Sequence, residues 1–355
     1  MNSIIDALGQ ETMMYWGVSY GSLLGQVYAT LFPERSERIV LDAVMDQFDQ
    51  FQDTMDKSHF VGNDVVVDGF FDECVRAGRA CPLSEFGRTK SKLRENITDV
   101  INSLRSKPAS VYINGSVYGV VDDYDVWING IFPELYAPAR WPALARRLAD
   151  LQTGNATSVY MAYVYGRPSD GIPVPNIAVM MNDGRSGPKY WPQSRFSLLE
   201  RLLPFFDKYR FAVSDMANYY IKQKWSIPTT HSYTPKTRVE TAHPLLLLST
   251  MHDPVCPYAT AQEAQRVFAG SRLVSIQAYG HSSLARPSLC AAKYLRKYLA
   301  DGSLPEKNVK CESDDPYFPS KDGDESAEDG RLYTEEEHSI RSAQRALAED
   351  FGRFL

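Results

Sequence analysis

The chain has 355 residues, 44% of them apolar and 23% charged, with a formal net charge of -6. That length can bury a large core in one big domain or two. The mild acidity gives no basic footprint for nucleic acid, and the longest apolar stretch, Pro244–Leu248, is far too short to cross a bilayer. Neither nucleic acid nor membrane is expected as a partner, and no cofactor motif is read.

Residues Glu11–Val18 read as a strand entering the pentapeptide Gly17-Val18-Ser19-Tyr20-Gly21. A G-x-S-x-G run between an apolar strand and a small-residue helix makes a sharp turn that lifts the serine hydroxyl above a sheet. Ser19 is therefore the candidate nucleophile, and the Tyr20 backbone amide a candidate oxyanion donor. Gly21, Gly25 and Ala29 then place small residues at helical spacing, so the helix can lie close to the sheet, and Pro33 ends it. Arg38–Leu41 reads as the next buried strand. A sheet of this kind has several strands ahead of its elbow, yet only residues 1–16 precede Gly17. The expectation is an α/β fold with a mostly parallel sheet lacking its first strands.

Residues 1–46 make the elbow half of that core, and residues 47–243 read as a mainly helical cap inserted before the strand pattern resumes. Leu93, Ile97, Ile101 and Leu104 recur at helical period, and Val111–Tyr118 carries a hairpin signal around Asn114-Gly115. Trp127, Trp141, Trp191 and Trp225 all fall in the insert. They suit either a lid over an apolar or peptide-like pocket or the insert's own core. The run Asp122-Asp123-Tyr124-Asp125 lacks the glycine and distal Glu of a calcium loop, so a helix cap is expected there and no metal.

Residues 244–311 return to strand, helix (Ala259–Phe268), strand (Arg272–Gln277) and a helix around Leu289, Leu295, Tyr298 and Leu299. Residues 312–355 read as an acidic polar loop to Gly330 and a last helix opened by the capping box Thr334 and Glu337. Asp253 and His281 follow the two strands at their carboxyl ends, where open α/β sheets place ligands. A serine needs an imidazole to take its proton, and the imidazole needs a carboxylate to fix its tautomer. Ser19, Asp253 and His281 occur in the order Ser, acid, His that strand-turn-helix elbows use. Asp42 and Asp46 are rival acids after the strand that follows the elbow. His59, His231, His243, His252 and His338 are read as structural or surface histidines.

Cys74 with Cys81, and Cys290 with Cys311, bracket short loops and leave Cys256 over. Two local disulfides with one free thiol, or five reduced buried cysteines, both fit that spacing. Sequons at Asn96, Asn114 and Asn155 lean toward export, whereas Met1–Leu8 lacks the features of a signal peptide and the chain as written reads as cytoplasmic.

These residues resemble the tripeptidyl-aminopeptidase-like branch of the α/β hydrolases, relatives of the prolyl iminopeptidases. The similar stretches are Tyr15–Gly25 with Tyr28-Ala29 and Phe32-Pro33, Val40–Asp42, Cys74–Pro82, Asp253–Val255 with Pro257, Tyr279–His281, Cys290, Tyr298–Pro305 and Cys311. The resemblance implies a serine exopeptidase in which a helical cap recognises a free peptide amino end and Ser19 forms an acyl-enzyme. It also implies disulfides Cys74–Cys81 and Cys290–Cys311, as in secreted members. Cys256 stands where the family usually has threonine, and the front strands with their Gly-rich oxyanion loop have no counterpart. Esterase, lactonase or thioesterase chemistry with the same triad, and an inactive fragment, are the alternative expectations.

Overall fold

The computed structural model describes residues 1–55, 57–166, 174–229, 232–319 and 333–351. The chain divides into two compact units, one of Met1–Gly62, Ile172–Ser283 and Ser288–Glu312, the other of Asn63–Gly171, Leu284–Pro287 and Ser313–Leu355.

The first unit is built on a five-stranded sheet, β1 (Met13–Val18), β2 (Ser36–Asp42), β5 (Leu246–His252), β6 (Arg272–Tyr279) and β7 (Val309–Glu312), in that order across the sheet. Every neighbouring pair is parallel. Residues alternate between the two faces with the period of two that a strand imposes. Ile39, Leu41, Leu245, Leu247 and Leu273 pack on one side with Tyr28 and Ala29 of the elbow helix (Tyr20–Leu31) and Ala261, Ala264 and Val267 of the helix Tyr258–Val267. Val40, Leu246, Leu248, Val274 and Ile276 pack on the other, with Ala291 and Tyr298 of the helix Leu289–Asp301. Both faces are covered by helices, which is why these strands read as continuous apolar runs. A disulfide from Cys290 to Cys311 ties the last of these helices to β7.

The second unit holds the two-stranded hairpin β3 (Ala109–Asn114) and β4 (Val117–Val121) and a set of helices. Leu93, Ile97 and Ile101 line the buried face of the helix Lys90–Ser103. Trp141 is fully buried, edge-on to Phe70 and stacked on Tyr317, and its indole N–H donates to the Glu134 carbonyl at 3.0 Å. The buried Glu134 carboxylate is met by Arg140, Arg147 and the Tyr163 hydroxyl. Cys74 and Cys81 are bridged here. Asp122 and Asp125 cap each other's backbone N–H groups at 2.9 and 3.1 Å at the start of a helical stretch.

The domain boundaries differ from those expected of the sequence, in which 47–243 was one cap and 312–355 a separate tail. Residues 47–62 and 172–243 group with the sheet-bearing unit, bonded to each other and to the elbow helix. Arg201 bonds Thr54, Tyr233 donates to Gln47 at 3.1 Å, and the Tyr20 hydroxyl donates to Asp183. The segment from Ser313 belongs with 63–171, held there by Phe318 against Phe70 and Tyr317 stacked on Trp141. β7 was not expected, since four residues of alternating polarity make too short a signal. The Thr334–Glu337 box closes in both directions, at 2.9 and 3.2 Å, ahead of the helix Glu335–Phe351. Residues 320–330 of the expected polar loop, and His231, lie outside the described residues.

Candidate active site

The site is assembled at the carboxyl ends of β1, β2, β5 and β6. Ser19 follows β1 with φ 56 and ψ -119, a left-handed conformation disfavoured for a residue bearing Cβ. The turn is held open for it by glycine: a Cβ on Gly17 would lie 2.2 Å from the Gly21 carbonyl oxygen, and one on Gly25 would lie 2.6 Å from Leu41. Three hydrogen bonds fix the elbow to the end of β2 and the loop beyond it. The Ser19 N–H donates to the Asp42 carbonyl at 2.9 Å, and the Ser22 hydroxyl donates to the Ser19 carbonyl at 2.6 Å and accepts from the Met45 N–H at 2.9 Å. Tyr20 is the first residue of the elbow helix, so its N–H is one of the four at a helix start with no partner inside the helix.

Asp253 and His281 are 1% and 2% exposed and bonded to each other, with His281 Nδ1 at 3.0 and 2.9 Å from the two carboxylate oxygens. The same carboxylate accepts from the backbone N–H groups of Val255, Cys256 and Ser282 at 2.9, 2.8 and 3.1 Å. Ser282, directly after the histidine, is another residue at positive φ, 72°. Three backbone donors on two loops therefore orient the carboxylate that orients the imidazole.

Cys256 completes the cluster. Its buried thiol shares a side-chain hydrogen bond with Ser19, and its sulfur, a His281 ring nitrogen and an Asp253 oxygen all lie within 4.8 Å of one another. Ser19 and His281 thus flank one sulfur. Burial, reinforced by the Asp253 and Asp42 carboxylates, pushes the thiol well above its ordinary range, against the opposing hydrogen bond from Ser19. Cys256 is the free cysteine; the sequence left it over by counting, but its place beside Ser19 comes from the loop after β5 turning back over the sheet edge.

The rival acids are used elsewhere. Asp42 accepts from the Ser283 N–H at 2.9 Å, from the Ser283 hydroxyl and from the Trp16 indole at 3.3 Å. Burial raises its carboxyl above the usual range despite these bonds. Asp46 caps the helix Gln47–Gln52 through the Phe48 and Asp49 N–H groups. Nothing in the sequence pattern gave Ser22 or Ser283 a role, since the contacts of Ser22 with Met45 and of Ser283 with Asp42 join residues apart in the chain. Among the other histidines, His252 stacks on Tyr279 and its burial lowers its pKa, His59 packs edge-on to Phe60, and His338 packs edge-on to Tyr333. Trp127, Trp141 and Trp191 are buried in the cores of their own units.

A cavity of about 780 Å³ opens within the first unit beside Tyr20, lined by Leu24, Phe51, Met181, Asp183, Trp225 and Tyr233 among others. Burial, with the hydrogen bond to Asp183 second, raises the Tyr20 phenol, so it stays a donor at all ordinary pH. The cavity wall mixes apolar and aromatic side chains with polar ones, Asn182, Arg185 and Ser186 among them, and holds the Asp183 carboxylate near the residue that follows Ser19 in the chain.

Residues 210–311 match the family described as TAP-like protein. The chain is 24% identical over 328 residues to the serine protease Hip1 of Mycobacterium tuberculosis, covering 88% of this chain and 60% of that protein. It is 26% identical over 329 residues to a tripeptidyl aminopeptidase of Streptomyces lividans, covering 86% of this chain and 55% of that one. A carboxylesterase B of Mycobacterium tuberculosis is 25% identical over 264 residues, 72% of this chain and 48% of its own length. The chain therefore spans between about half and three fifths of the length of these relatives. No described helix is long and apolar enough to cross a membrane. Its parallel sheet with helices on both faces is that of an α/β hydrolase, and over residues 210–311 the chain is similar to the TAP-like family.

Proposed function

We propose that the chain is a serine hydrolase that cleaves peptides near a free amino terminus through an acyl-enzyme. The observation that carries this reading is the His281–Asp253 pair meeting the Ser19 elbow around one buried sulfur. In it, Ser19 Oγ attacks the scissile carbonyl and His281 takes the hydroxyl proton, later giving it to the leaving amine. Asp253 keeps the imidazole in the required tautomer and stabilises the imidazolium. The Tyr20 N–H donates to the developing oxyanion, where the elbow helix also presents its positive end.

The cavity beside Tyr20 supports a peptide substrate. The apolar and aromatic part of its wall suits side chains, and Asp183 offers a negative charge to the ammonium of the peptide's first residue. The names of the Hip1 and tripeptidyl aminopeptidase relatives point the same way. Ester hydrolysis by the same three residues is the second reading, favoured by the carboxylesterase relative.

Wild type, Ser19→Ala and Asp183→Asn, assayed on a free-amino peptide anilide, its amino-blocked counterpart and a short acyl ester, separate the two. Peptidase function predicts that Ser19→Ala loses on the order of 10⁶-fold in turnover. It also predicts that Asp183→Asn raises KM about 10- to 100-fold for the free-amino anilide alone, the worth of one hydrogen bond to a charged group. A Ser19→Ala protein as active as wild type overturns the reading. Cleavage of the ester without the anilide selects the second.

A further inference from the structure

Cys256 is not needed for the proton relay from Ser19 to His281, yet its thiol bonds Ser19, its N–H donates to Asp253 at 2.8 Å and its sulfur lies within 4.8 Å of a His281 ring nitrogen. Its sulfur, a His281 ring nitrogen and an Asp253 oxygen come from two loops, lie within 4.8 Å of one another, and belong to residues only 1–2% exposed. A second buried carboxylate, Asp42, acts on both the thiol and the imidazole through space. One sulfur, one imidazole nitrogen and one carboxylate oxygen are the donor set of a soft or borderline divalent cation, and the surrounding negative charge favours a cation of any kind. A thiolate donor selects against magnesium and calcium, which take oxygen ligands.

We propose that this cluster is an inhibitory site for a thiophilic divalent cation of the zinc class. Binding replaces the Cys256 S–H bond by a metal–sulfur bond, and the thiol proton leaves to water, as thiolate coordination requires. Zinc bonds of about 2.0–2.3 Å put donors roughly 3.3–3.8 Å apart, so a cluster spanning at most 4.8 Å closes by about 1.5 Å at most, within reach of side-chain rotation. Coordination takes either the basic ring nitrogen itself or the Nδ1 that Asp253 holds, so the Asp253–His281 relay is lost in both cases, and the sulfur no longer accepts from Ser19. The inhibitory half of the proposal rests on the reading of Ser19 as nucleophile; the binding half does not.

The test uses the whole chain with its disulfides intact. Zinc uptake is measured by competition with a chromophoric chelator in wild type, Cys256→Thr and His281→Gln, and labelling of Ser19 by a fluorophosphonate is followed with and without zinc. The expected result is one zinc per chain in wild type, with affinity at least tenfold weaker in each variant. Zinc should suppress wild-type labelling at least tenfold, reversibly with EDTA, and leave the ratio near one in Cys256→Thr. Circular dichroism identifies a variant that has not folded, and the comparison then rests on the other. No uptake by wild type, or equal affinity in wild type and the folded variants, overturns the proposal. Uptake needs no turnover, so chelator competition with the expected pattern upholds the cation site even where Ser19 fails to label, an outcome that counts against the proposed function instead.

Discussion

The two units of this chain solve different physical problems. In the first, the critical contacts are between backbones: Gly17 passes the Gly21 carbonyl where no Cβ fits, and Asp253 gathers three backbone N–H groups as well as His281. In the second, the critical contacts are volumes: Trp141, Phe70, Phe71 and Tyr317 fill one another's gaps. A site that moves protons needs directions fixed to fractions of an ångström, which hydrogen-bonded backbone provides. A helical unit needs only apolar bulk in complementary shapes.

That contrast can be broken or sharpened by substitution. The largest effect is expected from Asp253→Asn, which leaves volume nearly unchanged but presents an amide to His281. Turnover on the best substrate should fall by about 10⁴-fold. A drop below tenfold would mean that another group orients the imidazole. Trp141→Ala should cost the second unit about 3–5 kcal/mol, seen as a lower urea midpoint. The comparison fails if the same change costs less than 1 kcal/mol, since a side chain buried completely cannot then be carrying the core. Gly17→Ala should cost about 1–3 kcal/mol by overpacking and reduce Ser19 labelling as well, because the clash falls on the turn that presents the serine. Labelling at the wild-type rate would show that the elbow can relax without moving Ser19. The smallest change, Thr334→Ala, removes one side of a closed capping box and should cost about 1 kcal/mol in the second unit alone.

The resulting division between legible and illegible follows range along the chain. β1, β2, β5 and β6, the elbow helix and the helix Lys90–Ser103 announce themselves through apolar runs or helical spacing that need only local sequence. Ser19, Asp253 and His281 were legible as candidates because each follows a strand end in a fixed order. Asp42 stood as a rival acid to Asp253, and the structure ties it instead to Ser283, a residue 241 positions away. The short β7 and the grouping of 172–243 with the sheet were hidden for the same reason.

By itself the sequence determined where the chain bends sharply and which side chains could do chemistry, because glycine, serine, histidine and alternating apolar residues act through their own geometry and polarity. Tertiary structure alone decided which carboxylate faces the imidazole, which unit each segment joins, and that a leftover cysteine lies against Ser19. Those outcomes depend on loops from separate strands converging at one edge, and no local pattern encodes a contact between residues that distant in the chain.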